Sequence, residues 1–232
     1  MLLFIIGGIQ KSTLIDYPQK IASVVFTQGC NFRCGYCHNP ELLSASKTYG
    51  ITTTDEYIEF LKTRLGKLDG VVITGGEPTL QSGLYEFIHK IKNLGFSVKL
   101  DTNGTNPDIL NKLIRNNLLD YIAMDIKAPL RKYTQITNVN VSIKDIKNSI
   151  KIIIKSNIEH EFRTTVIKSQ ISPEDIIEIG KIINGAQRYY LQKFIPSKIL
   201  DINLLNEKTY TDRELQNICN NLKKYINNAE YR

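Results

Sequence analysis

Short hydrophobic runs rich in β-branched residues alternate with longer amphipathic segments from residue 21 onward. We predict six strands, at residues 21–27, 71–74, 96–100, 121–125, 161–166 and 189–194. Between them, apolar residues recur at helical spacing, as at Leu84, Phe87, Ile88, Ile91 and Leu94. Strands that alternate in this way with helical segments predict βα units built around a parallel sheet.

Capping residues mark three helix starts. Thr53 with Glu56 and Thr211 with Glu214 fit a capping box, and Ser172 precedes a first-turn proline. The last helix is predicted at about residues 211–227, with no strand after it. Because the sequence has no repeat or obvious linker, we expect a single domain over residues 1–232. It would have a short N-terminal extension at 1–20 and the six βα units at about 21–195.

Six βα units are too few for a closed eight-stranded barrel. The predicted fold class is therefore α/β, a partial (β/α)6 barrel of the TIM-like type. In barrels of this kind the active site lies at the C-terminal ends of the strands. Polar motifs that belong to one site should therefore follow the strands directly.

Composition and charge narrow the classes of function. With 232 residues, 42% of them hydrophobic, the chain can bury one sizeable core. Thirty Lys and Arg against 23 Asp and Glu give a net charge of +7, which would suit an acidic partner. The basic residues are scattered along the chain, so we expect a solvated surface and no nucleic-acid interface.

The hydrophobic segments do not indicate a membrane protein. Residues 1–6 are apolar but lack the basic start of an export signal. No run approaches the roughly 18 apolar residues that span a bilayer. We therefore expect no membrane partner and a cytoplasmic location, where clustered cysteines bind metal more often than they form disulfides.

Three of the four cysteines, Cys30, Cys34 and Cys37, lie close together directly after the first predicted strand. Three thiolates on one short loop can hold three corners of a [4Fe-4S] cluster and leave the fourth iron open to a reacting ligand. The fourth cysteine, Cys219, belongs to an apolar helical stripe and is expected in the core.

Three other interpretations of the cysteine segment are open. Residues 34–38 match the C-x-x-C-H pattern of c-type haem attachment, which would leave Cys30 without a role. A structural zinc site could use His38 as its fourth ligand, although zinc ligand pairs are usually separated by a longer span. The three cysteines also share one helical face, but a helix is disfavoured there by Gly29, Gly35 and Pro40.

Residues Gly75, Gly76, Glu77 and Pro78 follow the second predicted strand. The two glycines would let a ligand approach the backbone closely, and the proline biases Glu77 towards an extended conformation. The segment could accept hydrogen bonds from an ammonium group, or it could be a plain turn.

Polar residues also lie at the ends of the later strands. Asp125 and Lys127 point to the same side by period-two alternation, either as part of a site or as a structural salt bridge. Arg163, in the fifth strand, can pair bidentately with a carboxylate. The remaining candidates follow strand three or lie in strand six: Asp101, Thr102, Asn103, Gly104, Gln192 and Phe194.

The segment from Gln28 to Glu41 resembles the cluster loop of radical S-adenosylmethionine (radical SAM) enzymes, whose hallmark is C-x3-C-x-aromatic-C, with Tyr36 at the aromatic position. Residues 12–18 resemble the lead-in of activating enzymes for anaerobic ribonucleoside-triphosphate reductase, a glycyl radical enzyme. The similarity extends through the six βα units. Gly35 and Gln19 depart from it, because a proline and a glycine are frequent at these positions. No additional cysteines match a ferredoxin-like insert, so one cluster is expected.

The resemblance implies an activity. A [4Fe-4S] cluster on Cys30, Cys34 and Cys37 would reduce S-adenosylmethionine, and the resulting 5'-deoxyadenosyl radical would remove a hydrogen atom from a glycine of a partner. The implied partner is a glycyl radical enzyme, nearest to anaerobic ribonucleoside-triphosphate reductase, with a flavodoxin- or ferredoxin-like electron donor. The alternatives are a radical SAM enzyme acting on a small molecule, as in deazapurine synthesis, and a non-catalytic iron–sulfur or zinc module.

The resemblance also implies roles for the strand ends. The Gly75–Gly76–Glu77 segment would contact the amino group of S-adenosylmethionine. Asp101, Thr102 and Asp125 would hold a monovalent cation near its carboxylate. The complete set of expected cofactor contacts, with Arg163 and Gln192 assigned by position, is Tyr36, His38, Gly75, Gly76, Glu77, Thr102, Asp125, Lys127, Arg163 and Gln192.

Overall fold

The computed structural model describes residues 4–44 and 52–232. These residues form two compact units. The first unit comprises the described parts of 1–31, 41–102 and 106–122, and the second comprises 32–40, 103–105 and 123–232. The cysteine segment is divided between them, because Cys30 belongs to the first unit and Cys34 and Cys37 belong to the second.

Within its described residues, the first unit contains four complete strands and three α-helices. The strands are β1 (Ile6–Thr13), β2 (Ala22–Thr27), β3 (Gly70–Gly75) and β4 (Ser97–Thr102), and the helices are α1 (Thr54–Lys62), α2 (Leu84–Asn93) and α3 (Pro107–Arg115). β1 pairs antiparallel with β2, whereas β2, β3 and β4 run parallel. Val24 lies opposite Val72, and Ile73 lies opposite Leu100. Their continuous burial is typical of parallel strands that are covered on both faces.

The second unit contains the later strands and helices. β5 (Tyr121–Asp125) begins in the first unit and ends in the second. It is followed by α4 (Tyr133–Thr137), α5 (Ile143–Lys155), β6 (Glu159–Val166), α6 (Pro173–Ile182), β7 (Arg188–Lys193), α7 (Asp212–Leu222) and β8 (Asn228–Tyr231). β6, β7 and β8 are parallel neighbours. The apolar side chains of Phe162, Leu191 and Leu222 are fully buried in this unit.

Local sequence signals place the helices well. The predicted capping boxes are present at Thr53 with Glu56 and at Thr211 with Glu214, and Ser172 caps α6 before its first-turn proline. In α2 the apolar stripe is buried as predicted, except that Leu94 lies just beyond the helix and is partly exposed. All six predicted strands occur, within a few residues of the predicted bounds.

Two strands were not predicted. β1 lies in the segment expected to be a mere extension, and β8 follows the last helix, so the prediction of no strand after it was wrong. The last helix also ends earlier than predicted, at Leu222. β1 carries Gly7, Gly8 and exposed polar residues, and β8 is only four residues long without a β-branched residue. Neither shows the apolar pattern that marks a central strand.

Candidate functional site

Cys30 lies three residues beyond β2, in the first unit. The backbone before it is tied to the segment at residues 42–43, because Gly29 N donates to Leu42 O at 2.7 Å and Cys30 N donates to Leu43 O at 3.4 Å. The Cys30 side chain is half-buried. The first cysteine therefore sits on a fixed backbone at the carboxyl end of a buried parallel strand.

Cys34 and Cys37 belong to one turn of the second unit, in which Cys37 N donates to Cys34 O at 3.0 Å. No helix forms over residues 30–37, all of which are described, so the interpretation of the cysteines as a helical stripe is wrong. Burial raises the pKa of the Cys34 thiol, and the nearby Lys127 ammonium opposes this rise. All four cysteines lie in the described residues as free thiols, and Cys219 is buried within α7, where the sequence predicted a core position.

His38 follows the cysteine turn and is exposed, with its ring stacked on Phe194 at 6.4 Å between centroids. Its Nε2 lies 3.2 Å from the Ile195 carbonyl oxygen. Because a carbonyl oxygen only accepts, this hydrogen bond requires the proton on Nε2. Such a ring could bind zinc only through Nδ1, so the contact gives the zinc interpretation no support.

The glycine segment after β3 approaches the backbone that precedes Cys30 within the first unit. Gly76 N donates to Thr27 O and Glu77 N donates to Gly29 O, both at 2.8 Å. A Cβ atom on Gly76 would lie 2.1 Å from Gly29 O, closer than any side chain tolerates. Gly75 adopts a φ of +106°, a conformation that favours glycine. The glycines thus allow a close backbone approach, but the group that approaches Gly76 is the protein's own backbone at Gly29.

Glu77 supports this segment from inside. Its side chain is 1% exposed, and Oε1 accepts hydrogen bonds from Thr79 N at 3.0 Å, Thr79 Oγ1 at 2.6 Å and Thr102 Oγ1 at 2.8 Å. These bonds cap the short 3₁₀ turn at Pro78–Leu80 and join it to the end of β4. Thr79 was missed by the sequence reasoning, although a hydroxyl two residues after an acidic residue is a recognisable turn signal.

The residues expected to hold a cation have protein partners. Asp101 Oδ1 accepts from Lys99 Nζ at 2.8 Å, and the Thr102 hydroxyl donates to Glu77. Asp125 takes part in ion pairs within the second unit. The cation site stays a prediction. Lys99 was not singled out from the sequence, although it lies two residues before Asp101, on the same side of β4.

A charged cluster occupies the end of β5 and one side of β6 in the second unit. Asp125 Oδ1 accepts from Arg163 Nε at 2.7 Å, and Asp125 Oδ2 accepts from Lys127 Nζ at 3.0 Å. The predicted pairing of Asp125 with Lys127 is therefore confirmed, and Arg163 pairs with the Asp125 carboxylate through its Nε atom. Lys127 Nζ also lies 6.0 Å from the centre of the Tyr36 ring.

The charges in this cluster hold one another ionised. Burial would raise the pKa of Asp125, but Arg163 and Lys127 outweigh it and keep that pKa well below its usual range. Burial alone would lower the pKa of Lys127, yet Asp125 raises it well above the ordinary value. Burial also raises the pKa of the Tyr36 hydroxyl, which has no hydrogen-bond partner within the described residues. Tyr36 therefore offers a buried polar atom close to a fixed positive charge.

The cluster continues along β6 through a residue that sequence reasoning missed. Glu161 is 1% exposed, lies 3.9 Å from Arg163 Nη1, and accepts from Arg232 Nη2 at 2.9 Å. Period-two alternation along β6 places Glu161 on the side of Arg163 and could have identified it. Gln192 lies on β7 opposite Thr165 and is half-buried.

The cysteine segment has the donor atoms of a metal centre. Within residues 4–44 and 52–232, no three His, Cys, Asp or Glu side chains converge into a ready-made metal site. The chemistry of the cysteine segment nevertheless fits an iron–sulfur cluster, because its three thiols are soft ligands and are not consumed by disulfides. Burial raises the pKa of the Cys34 thiol, and the nearby Lys127 ammonium offsets only part of this rise.

Comparison with known proteins decides the family. Residues 24–183 match the family model described as the radical SAM superfamily. The chain belongs to this superfamily. Radical SAM proteins use S-adenosylmethionine and an iron–sulfur cluster, so the predicted class of enzyme and the general nature of its cofactors are confirmed.

Individual relatives refine this assignment. A Methanocaldococcus jannaschii protein with the provisional name of glycyl-radical enzyme activating enzyme is 37% identical, over 98% of this chain and 95% of its own length. The pyruvate formate-lyase-activating enzyme of Clostridium pasteurianum is 28% identical, over 92% of this chain and 90% of its own length. A GTP 3',8-cyclase of Helicobacter pylori is 31% identical, over 72% of this chain and 51% of its own length. The predicted resemblance to activating enzymes of glycyl radical enzymes is thus confirmed.

Solved structures confirm the fold class. Streptococcus suis SuiB bound to its precursor peptide aligns with a TM-score of 0.68 at 16% identity, over 90% of this chain and 48% of SuiB. At that identity the likeness establishes the fold alone, which is the predicted α/β fold of the partial TIM-like barrel type. Among the described residues, no helix is long and apolar enough to cross a membrane.

Proposed function

We propose that this radical SAM enzyme activates a glycyl radical enzyme, and that its partner is an anaerobic ribonucleoside-triphosphate reductase. The observation that carries the proposal is the near full-length similarity to a named activating enzyme, in a chain with the C-x3-C-x2-C segment. The proposal treats residues 1–232 as one radical SAM domain that works in the cytoplasm. A flavodoxin- or ferredoxin-like protein would be the electron donor.

Cys30, Cys34 and Cys37 would hold a single [4Fe-4S] cluster. The cluster and S-adenosylmethionine together supply one-electron chemistry that removes a hydrogen atom from a glycine of the partner. The chain's own contribution is to bind and orient. A turn with its own internal hydrogen bond presents Cys34 and Cys37, and Lys127 provides positive charge near Cys34.

The residues at the strand ends support the cofactor contacts that we propose. In the first unit, the backbone of Gly75 and Gly76 would face the amino group of S-adenosylmethionine. Glu77 would hold this segment in place through its hydrogen bonds to Thr79 and Thr102. In the second unit, the ion pairs of Asp125 fix Lys127 and Arg163 as two oriented cations, suited to carboxylate or hydroxyl oxygens. The remaining proposed contacts to S-adenosylmethionine are Tyr36, His38 and Gln192. The proposed cation site consists of Asp101, Thr102 and Asp125.

Anaerobic reconstitution with iron and sulfide tests the cofactor part of the proposal. Wild-type protein should bind about four irons and cleave S-adenosylmethionine when reduced. Cys34→Ala should lose both properties. Cys219→Ala is the matched control, because its thiol is buried in α7 and should leave iron binding intact. Zinc binding without iron, or iron binding without cleavage, would contradict the proposal.

Electron paramagnetic resonance tests the choice of partner. The reduced protein is mixed with S-adenosylmethionine and either anaerobic ribonucleoside-triphosphate reductase or pyruvate formate-lyase. A glycyl radical signal only with the reductase is the expected result. A signal only with the lyase would overturn the partner assignment, and a signal with neither would overturn the activating function.

A further inference from the structure

A segment after β7 lies along the cysteine turn in the second unit. We call residues 195–204 the strap. Leu200 N donates to Cys37 O at 3.1 Å, and Asp201 N donates to Gly35 O at 2.8 Å. At the start of the strap, the Ile195 carbonyl oxygen lies 3.2 Å from His38 Nε2. The carbonyls of two residues in the turn are therefore held by backbone donors from a distant part of the sequence.

The strap has its own internal order. Ile199 and Leu204 are buried and anchor it, with exposures of 7% and 8%. The Asp201 carboxylate accepts from Asn203 N at 3.0 Å and from Asn203 Nδ2 at 2.9 Å, which caps the 3₁₀ turn at Ile202–Asn206. The donors at Leu200 and Asp201 are thus presented by an anchored segment with a defined turn.

Gly35 shows how closely the strap is seated. A Cβ atom on Gly35 would lie 3.0 Å from Leu204 Cδ1 and 3.2 Å from Asp201 Cβ. The φ of Gly35 is not positive, so its own backbone conformation would accept another residue. A side chain at this position would press on Leu204 and Asp201 of the strap, so the strap favours a small residue here.

We propose that the strap is a positioning element for the iron–sulfur cluster. By holding Gly35 O and Cys37 O, it fixes the turn that spaces the thiols of Cys34 and Cys37, so that the ligands are arranged before the metal arrives. This inference rests on the proposed cluster. Partners that orient metal ligands commonly change metal affinity by about 10–100-fold when they are removed.

Two substitutions at one position separate the backbone donor from the side chain. Leu200→Pro removes the N–H that bonds Cys37 O, whereas Leu200→Ala keeps it and shortens an exposed side chain. After anaerobic reconstitution, a chelator should remove iron from Leu200→Pro about tenfold faster than from Leu200→Ala, which should resemble wild type. Equal rates in both variants would overturn the proposal, provided that hydrogen exchange shows the strap released in Leu200→Pro.

A second variant keeps the test decisive if Leu200→Pro does not fold. Gly35→Ala places a methyl group against the strap, and Gly8→Ala is the matched control, because its Cβ would meet only ordinary contacts at 3.9 Å. In the iron-free chain, Gly35→Ala should speed hydrogen exchange at Leu200 and Asp201, and after loading it should speed iron release. Unchanged exchange and unchanged release would reject the strap's role.

The outcomes also separate the strap from the proposed function. If wild-type protein binds no iron, the cluster assignment fails. If wild-type protein binds iron and cleaves S-adenosylmethionine, but neither variant alters iron release while its strap is detached, only the positioning role fails. The exchange measurement needs neither cofactor nor partner.

Discussion

Two adjacent glycine residues are required for different structural reasons. The pair Gly75 and Gly76 predicted a backbone that a ligand could approach closely. In the structure, Gly75 needs glycine for its positive φ, whereas Gly76 needs it because Gly29 O fills the space of a side chain. The backbone beside Cys30 is therefore shaped by a contact between two loops that are far apart in sequence.

Gly76→Ala should destabilise the first unit. The new methyl group would overlap Gly29 O, and relief requires the two backbones to separate and to lose the hydrogen bond from Glu77 N to Gly29 O. Forced overpacking of this kind costs about 1–3 kcal/mol. Urea unfolding of the iron-free protein measures the change, with Gly8→Ala as the control. Equal midpoints for the two variants would show that the loops separate without cost.

At the scale of elements, helices were easier to predict than edge strands. The capping boxes of α1 and α7 depend on residues three positions apart, so the sequence contains both partners. β1 and β8 have no such local signal. Each is ordered by pairing with a neighbour, β1 with β2 and β8 with β7. Their partners lie outside any short sequence window.

The start of α6 carries a buried acidic residue that should make the fold sensitive to acid. Asp175 accepts from Ser172 N, Lys132 Nζ and Arg131 Nη2. Burial would raise its pKa, but these hydrogen bonds and charges lower it below the usual value. The carboxylate therefore stabilises the fold above the ordinary pKa of about 3.9, and this stabilisation is lost as the pH falls through the folded-state value.

Asp175→Asn removes this dependence. At neutral pH the variant should be about 1–3 kcal/mol less stable than wild type, because the two cations lose their charged acceptor. The difference should shrink between about pH 5 and about pH 3. Urea midpoints over this range measure it, and Glu178→Gln is the control, since Glu178 is partly exposed and bonds the same arginine. A difference that does not change with pH would contradict the assigned ionisation.

Removal of β8 should expose the edge of β7. In the structure Lys193 N donates to Arg232 O at 2.9 Å, Arg232 N donates to Leu191 O at 3.0 Å, and the Arg232 side chain bonds buried Glu161. A chain that stops at Asn227 should lose at least about 2 kcal/mol of stability. It should also self-associate, because an open edge can pair with another chain.

Light scattering and urea unfolding check both effects of the β8 truncation. Arg232→Ala is the control, because it removes the side chain from Glu161 but keeps the backbone pairing of the strand. Self-association in the point variant as well would show that the ion pair, rather than the sheet edge, keeps the chains apart.

At the scale of the whole molecule, charge is the property that bears most on partners. The net charge of +7 favours an acidic electron donor such as the proposed flavodoxin or ferredoxin. The rate of cluster reduction by such a donor should fall severalfold when the salt concentration rises from about 50 mM to about 500 mM, because salt screens charges on separate molecules. Stopped-flow absorbance measures the rate. Reduction by dithionite at matched salt concentrations controls for effects on the cluster itself.

The sequence by itself determined the six βα units, the capped helices, the cysteine segment and the family, because each rests on spacing within a short stretch of chain or on a motif of adjacent residues. It also predicted the pairing of Asp125 with Lys127, which lie two residues apart. Only the tertiary structure decided that residue 76 must be glycine, because Gly29 O fills the space of a side chain there. It also decided that Glu77 joins the glycine segment to β4, and that the strap donates hydrogen bonds to the turn of Cys34 and Cys37. These contacts join backbone atoms or buried polar groups from distant parts of the chain, and backbone atoms are the same for every residue. The pattern of residues along the chain therefore does not indicate which backbone atoms or buried polar groups will come into contact.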